Sequence, residues 1–177
     1  WSIFYLNLRF DWQMYRMHQK ALANPDVAVK NANGTFCYMH GDPTFPQPAE
    51  GMWIWNLSSP AARELLVGTC VNSTTAAGGS FNGCFLDGAG VWEQDDPAKK
   101  SKGCTLAPSA FPELAAGNVQ LLEEMQAGVG DDKLIVAKDG GSFYNDTKYV
   151  NTLFMSDCYC SCYRCTAWTE TDASTCV

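Results

Sequence analysis

The feature that most constrains this chain is that several short apolar runs stop at a polar residue, with no internal sequence repeat. Phe4-Tyr5-Leu6 stops at Asn7, Trp53-Ile54-Trp55 at Asn56, Cys84-Phe85-Leu86 at Asp87, and Ile135-Val136-Ala137 at Lys138. Helical segments lie between some of these runs. One contains Met14, Tyr15, Met17 and His18 and is stopped by Asn24-Pro25-Asp26. A second covers residues 61–66, with Ser59 as cap and Pro60 at the first position. A third, amphipathic, covers residues 114–126. This alternation predicts an α/β fold with parallel strands at 4–7, 52–56, 81–87 and 134–137, joined by crossover helices. It fits a (β/α) barrel or an open doubly wound sheet. No glycine-rich phosphate loop follows a strand, which speaks against a nucleotide site. Asn33-Gly34, between β-type runs, predicts a hairpin turn.

Length and charge narrow the options. The 177 residues, 46% of them hydrophobic, can bury a core as one domain. A complete eight-stranded barrel needs about 250 residues, and about 200 at the least. A barrel here is therefore an incomplete (β/α)8 TIM-type barrel over residues 1–157, followed by a Cys-rich segment over 158–177. A net charge of −7 with no basic stripe excludes nucleic acid as the expected partner. No apolar run approaches the roughly 20 residues of a membrane span. The opening Trp1-Ser2-Ile3-Phe4-Tyr5 reads as a strand and not a signal peptide, so a secreted form is expected to carry its signal upstream.

Two features point to the secretory pathway. Nine cysteines are many for a reducing cytosol. Four N-glycosylation patterns start at Asn33, Asn56, Asn72 and Asn145, where chance gives about one or two. Asn33, Asn72 and Asn145 fall in expected turns or loops and are the expected glycan carriers. Asn56, at a strand end, is expected to be bare. Cys158, Cys160, Cys162 and Cys165 could form a four-sulfur zinc site, but they lack paired C-x-x-C knuckles and a nearby histidine. Disulfides are the favoured reading, with Cys176, Cys104, Cys70 and Cys37 as candidate partners and at least one cysteine left over. No metal or cofactor is expected.

Strand parity orients the chemistry. If Asp87 points to a barrel mouth, Phe85 and Gly83 share its side, while Cys84 and Leu86 face the helices. The same count places Tyr5 and Asn7, and Ile54 and Asn56, on the axis side. Polar residues also end strands simply because turns begin there, and Lys138-Asp139-Gly140-Gly141 reads as an ordinary turn. Asp87 stands apart as a carboxylate between an apolar strand and Gly88-Ala89-Gly90. Trp12 and Trp92, just beyond strand ends, are candidates for stacking on a sugar ring, against the alternative that they are core.

Three segments in order, Phe4-Tyr5-Leu6-Asn7, Trp53-Ile54-Trp55-Asn56-Leu57-Ser58-Ser59-Pro60-Ala61-Ala62-Arg63 and Asn82-Gly83-Cys84-Phe85-Leu86-Asp87-Gly88, resemble a family of glycoside hydrolases. That family has a TIM barrel related to the endo-polygalactosaminidase type. The resemblance covers about residues 1–139 and implies that the chain runs from the second strand into about the sixth. It departs from the family at Asn56 and Asn82, where Asp is usual. The second acid, a Glu after the sixth strand, has only Asp157 in the corresponding stretch. Glycoside hydrolysis needs two carboxyl groups. The resemblance implies Asp87 as one, and Asp157 is the candidate for the other, with Glu93 and Asp11 as fallbacks on neighbouring loops. Strand parity and the convergence of strand ends put Asn7 and Asn56 on the same rim as substrate-binding residues. Two functions follow as expectations. One is a secreted glycoside hydrolase acting on polysaccharide. The other is a non-catalytic extracellular glycoprotein, structural or carbohydrate-binding, with other chains of a larger assembly open as partners.

Overall fold

The computed structural model describes residues 2–12, 15–38, 53–75, 80–89, 106–107, 109–138 and 152–155. Strand β1 (Ile3–Asn7) leads to helix α1 (Met17–Leu22) and a 3-10 turn (Pro25–Val27). Helix α2 (Pro60–Thr74) precedes β2 (Gly83–Asp87), and helix α3 (Ala110–Val129) precedes β3 (Leu134–Lys138) and β4 (Thr152–Met155). The strands form one four-stranded sheet in the order β1-β2-β3-β4, and every pair is parallel. Tyr5 pairs with Phe85, and Phe85 with Val136. Strand order equals chain order, so these strands contain no reversal of the kind that defines an open doubly wound sheet.

Burial follows strand parity. Leu6, Cys84, Leu86, Ile135 and Ala137 have no exposed surface, whereas Tyr5 on the opposite face is 42% exposed. The buried face meets α2 and α3 through Ala62, Leu66, Leu114, Leu121, Leu122 and Met125. Right-handed crossovers between neighbouring parallel strands deliver successive helices to one face. The two helices also pack on each other. Arg63 on α2 sits 3.3 Å from Glu124 on α3 and donates to the carbonyls of Leu57 and Ser58. A buried disulfide, Cys70–Cys84, staples α2 to β2. Closing a loop of this size stabilises by about 3 kcal/mol.

Of the run expected as a parallel strand at 52–56, residues 53–55 make isolated antiparallel bridges and do not join the sheet, which corrects that expectation. Phe10 bridges Ile54, Ala28 bridges Trp55 and Tyr38 bridges Trp53, all antiparallel. The hairpin expected at Asn33-Gly34 explains this. Lys30 bridges Phe36, Asn31 N–H donates to the Thr35 carbonyl, and the hairpin edge then accepts Ile54 N–H at the Cys37 carbonyl. On the other side Asp11 N–H donates to the Trp53 carbonyl. With both edges occupied, β1 pairs directly with β2.

All three cysteines among the described residues are disulfide-bonded, namely Cys37, Cys70 and Cys84. Cys70 takes Cys84, so it is not a partner of the cysteine cluster. That cluster and the segment 158–177 lie outside the described residues, as does the 139–151 stretch. No helix of the described residues is long and apolar enough to cross a membrane.

Candidate functional site

The carboxyl ends of three adjacent strands bring four polar side chains together. Asp87 ends β2, and its backbone is fixed on both sides. Leu8 N–H donates to the Asp87 carbonyl, and Ala89 N–H donates to the Lys138 carbonyl, each at 2.9 Å. Gly88 then turns the chain with φ of 76°, a conformation that costs glycine little and side chains more. The Asn118 amide of α3 donates to the Ala89 carbonyl from a fully buried position. Helix α3 thus holds the turn that follows the carboxylate.

The carboxylate itself meets three donors. The Tyr5 hydroxyl donates to Oδ2 at 2.6 Å, Asn7 Nδ2 approaches the same oxygen at 3.4 Å, and Lys138 Nζ lies 3.3 Å from Oδ1. None of these partners is a carboxylate. Asn7 is almost wholly buried, and its Oδ1 accepts from the N–H groups of Arg9 and Phe10, which folds the chain away from β1. Its Nδ2 also donates to the Tyr5 hydroxyl oxygen at 3.2 Å. The Tyr5 ring stacks on Phe85 with centroids 5.9 Å apart. Partial burial, then the hydrogen bond to Asp87, pushes the Tyr5 phenol up to about 12. Tyr15, whose hydroxyl reaches the Tyr5 carbonyl at 3.5 Å, is pushed up to about 12 by burial first, then by Tyr5, Asp87 and Asp11 nearby, against a bond to the Asn7 backbone. Both phenols are therefore donors at neutral pH.

A buried hydrogen-bonded pair lies on the segment after β1. Asp11 Oδ2 and His18 Nδ1 are 2.5 Å apart, and both side chains are buried. Burial holds the Asp11 carboxyl above its ordinary range, against the opposing pull of His18. Asp11 is committed to this pair, with its other oxygen shut away from solvent, and it does not stand among the groups bonded to Asp87.

The expected site residues divide as follows. Asn7 joins Asp87. Asn56 does not share that rim: it donates to the Asp26 carbonyl at 3.3 Å, accepts from the Ser58 hydroxyl at 2.6 Å, and lines a separate groove with Ala28, Val29, Glu113 and Leu114. The cause is the antiparallel placement of 53–55. Trp12 is half-buried against the core, with its indole nitrogen enclosed. Asn33 is exposed in its turn, where its Oδ1 accepts from the Thr35 N–H and hydroxyl. Asn72 is exposed on α2 and not in the loop expected for it. Trp92, Glu93, Asn145 and Asp157 lie outside the described residues. Sequence reading passed over Tyr5, Tyr15 and Lys138 as site residues. Parity alone pairs Tyr5 with Asn7 on one face, and Lys138 ends the strand beside Asp87; both signals were present. No protein-family model and no curated protein matches this chain.

Proposed function

We propose that this chain forms part of a secreted, glycoside-hydrolase-like (β/α) barrel that acts on or binds polysaccharide at the carboxyl end of its strands. The observation that carries this reading is the convergence of Tyr5, Asn7, Asp87 and Lys138 from three adjacent parallel strands. Carboxyl ends of parallel strands are where barrel enzymes place their chemistry. A strand order equal to chain order, with helices on one face, supports a barrel over a doubly wound sheet. The resemblance to the endo-polygalactosaminidase type agrees with both. Disulfides at Cys37 and Cys70–Cys84, with exposed glycosylation patterns at Asn33 and Asn72, support the secretory pathway.

In the hydrolase, Asp87 serves as one carboxyl group, positioned by Tyr5 and Asn7. Asp157 serves as the second, with Glu93 as the alternative. Hydrolysis requires two carboxyl groups about 5–10 Å apart across the glycosidic bond. The partners of Asp87 favour a second reading, a non-catalytic carbohydrate-binding glycoprotein. A phenol, an amide and an ammonium can all bond sugar hydroxyls without any acid to protonate a leaving group.

The test is release of reducing ends from a panel of polysaccharides by the full-length protein, secreted from a eukaryotic host. Hydrolysis that falls at least about a hundredfold in Asp87→Asn, with an unchanged Tm, supports the enzyme. Binding without hydrolysis supports the second reading. Neither binding nor hydrolysis of any polysaccharide overturns both.

A further inference from the structure

The groove that takes Asn56 has a volume of about 340 Å³. Buried Ala28, Val29 and Leu114 form its floor, and Asp26, Asn56 and Glu113 stand on its rim. Its place relative to Asp87 follows from α3. Asn118 holds the Ala89 carbonyl, two residues past Asp87. Leu114 lies four residues earlier on the same face of that helix. At 1.5 Å per residue the groove floor begins about 6 Å along the helix from the turn that carries Asp87. The close approach of Gly117 to the backbone of Leu57 and Ser58 ties the other wall, Ser58 and Ser59, to the same level. Ser58 and Ser59, just before α2, and the first turn of α3 thus border the groove at the end of the sheet where Asp87 sits.

The lining selects a ligand class. An apolar floor suits the C–H face of a sugar ring, and carboxylate, amide and hydroxyl groups around it suit ring hydroxyls. Lys30 is paired with Asp26 at 3.4 Å, which leaves Glu113 as the net charge of the rim and disfavours an anion. A volume near the lower end of the roughly 300–1,000 Å³ of small-molecule pockets holds a short stretch of sugar chain, not an extended one.

We propose that this groove is an outer subsite of the carbohydrate site, holding one unit of a chain whose neighbouring units lie at Asp87. The proposal rests on the carbohydrate reading of Asp87 given above. It also returns Asn56 to sugar binding, at a different position from the one its strand-end spacing implied.

The test is calorimetric titration of the full-length protein with neutral cello-, xylo- and N-acetylated chito-oligosaccharides, from disaccharide to hexasaccharide. Affinity is expected to rise with length, and Glu113→Ala is expected to lower hexasaccharide affinity about tenfold and disaccharide affinity far less, the loss of one hydrogen bond to a charged group. Glu113 is exposed, so this variant keeps its Tm; Asn56→Ala is the second variant, with the same expected split. Asp87→Asn is expected to lower affinity at every length. A length dependence untouched by both groove variants overturns the subsite and leaves the Asp87 reading standing. Hexasaccharide affinity lowered by Glu113→Ala but untouched by Asp87→Asn overturns the shared site. Absence of binding by every oligosaccharide overturns the subsite and the carbohydrate reading together.

Discussion

The Tyr5 hydroxyl donates to Oδ2 of Asp87 at 2.6 Å, across two strands whose register sets Tyr5 beside Phe85 and Asn7 beside Asp87. The bond needs a protonated phenol. Tyr5 and Tyr15 are both raised from 10.0 to about 12, so the folded state holds these protons where the unfolded chain releases them. Their contribution to stability is full below pH 10.0 and is lost as pH rises through about 12. Phenolate absorbance followed against pH is expected to show Tyr5 and Tyr15 ionising late. Tyr5→Phe is expected to remove one of them. A Tyr5→Phe titration identical to that of the parent protein contradicts the assignment.

The buried pair of Asp11 and His18 is expected to matter to stability. Asp11→Ala leaves the enclosed His18 Nδ1 without its hydrogen-bond partner, and a buried polar group left unpaired costs about 1–3 kcal/mol. Denaturant unfolding measures this. The pH dependence has a definite sign. Burial raises the folded Asp11 carboxyl above its value of 3.8, so its contribution is full below that pH and falls as pH rises through the raised value. The stability difference between the parent protein and Asp11→Asn is expected to drift against the parent over that interval. A drift in its favour refutes the burial account.

Two helical glycines give a paired test of packing. A Cβ on Gly117 would lie 2.1 Å from the Leu57 carbonyl oxygen, whereas one on Gly68 meets nothing within 4 Å. Gly117→Ala is expected to destabilise by about 1–3 kcal/mol or more, through forced separation of α3 from the start of α2. Gly68→Ala, in the interior of α2, is expected to stabilise by about 0.5–1 kcal/mol. Thermal unfolding of both variants reads the two signs. Equal shifts would mean that α2 and α3 do not approach as described.

Parity made much of β2 legible, because Cys84 and Leu86 face the helices as their apolar character requires. Helix extents were less legible. Beyond Leu66, α2 continues through Thr69, Ser73 and Thr74, poor helix formers whose hydroxyls donate to carbonyls four residues back. The Cys70–Cys84 bond holds that stretch in place, and no local pattern announces such a tertiary constraint. Helix α3 starts at Ala110 because Pro112 falls in its first turn, where a proline is tolerated. Trp53-Ile54-Trp55 is buried on every side, so it lacks the alternation that would fix a face, and composition cannot tell a parallel partner from antiparallel ones. Asn56 was misplaced with it. Lys138 followed the same logic as Asp87, but its turn-like sequence context concealed it.

The central claim is that carbohydrate binds at the carboxyl ends of β1, β2 and β3 around Asp87. Amide chemical-shift mapping of the full-length Asp87→Asn protein, titrated with the oligosaccharide released from its best polysaccharide, tests it most directly. If the parent releases none, the parent protein itself is titrated with the hexasaccharide that it binds best. The largest shifts are expected at Tyr5, Asn7, Lys138 and the substituted position at the end of β2, with little change at the amino ends of the same strands near Ile3, Gly83 and Leu134. Shifts concentrated at those amino ends, or no shifts on addition of sugar, would contradict it.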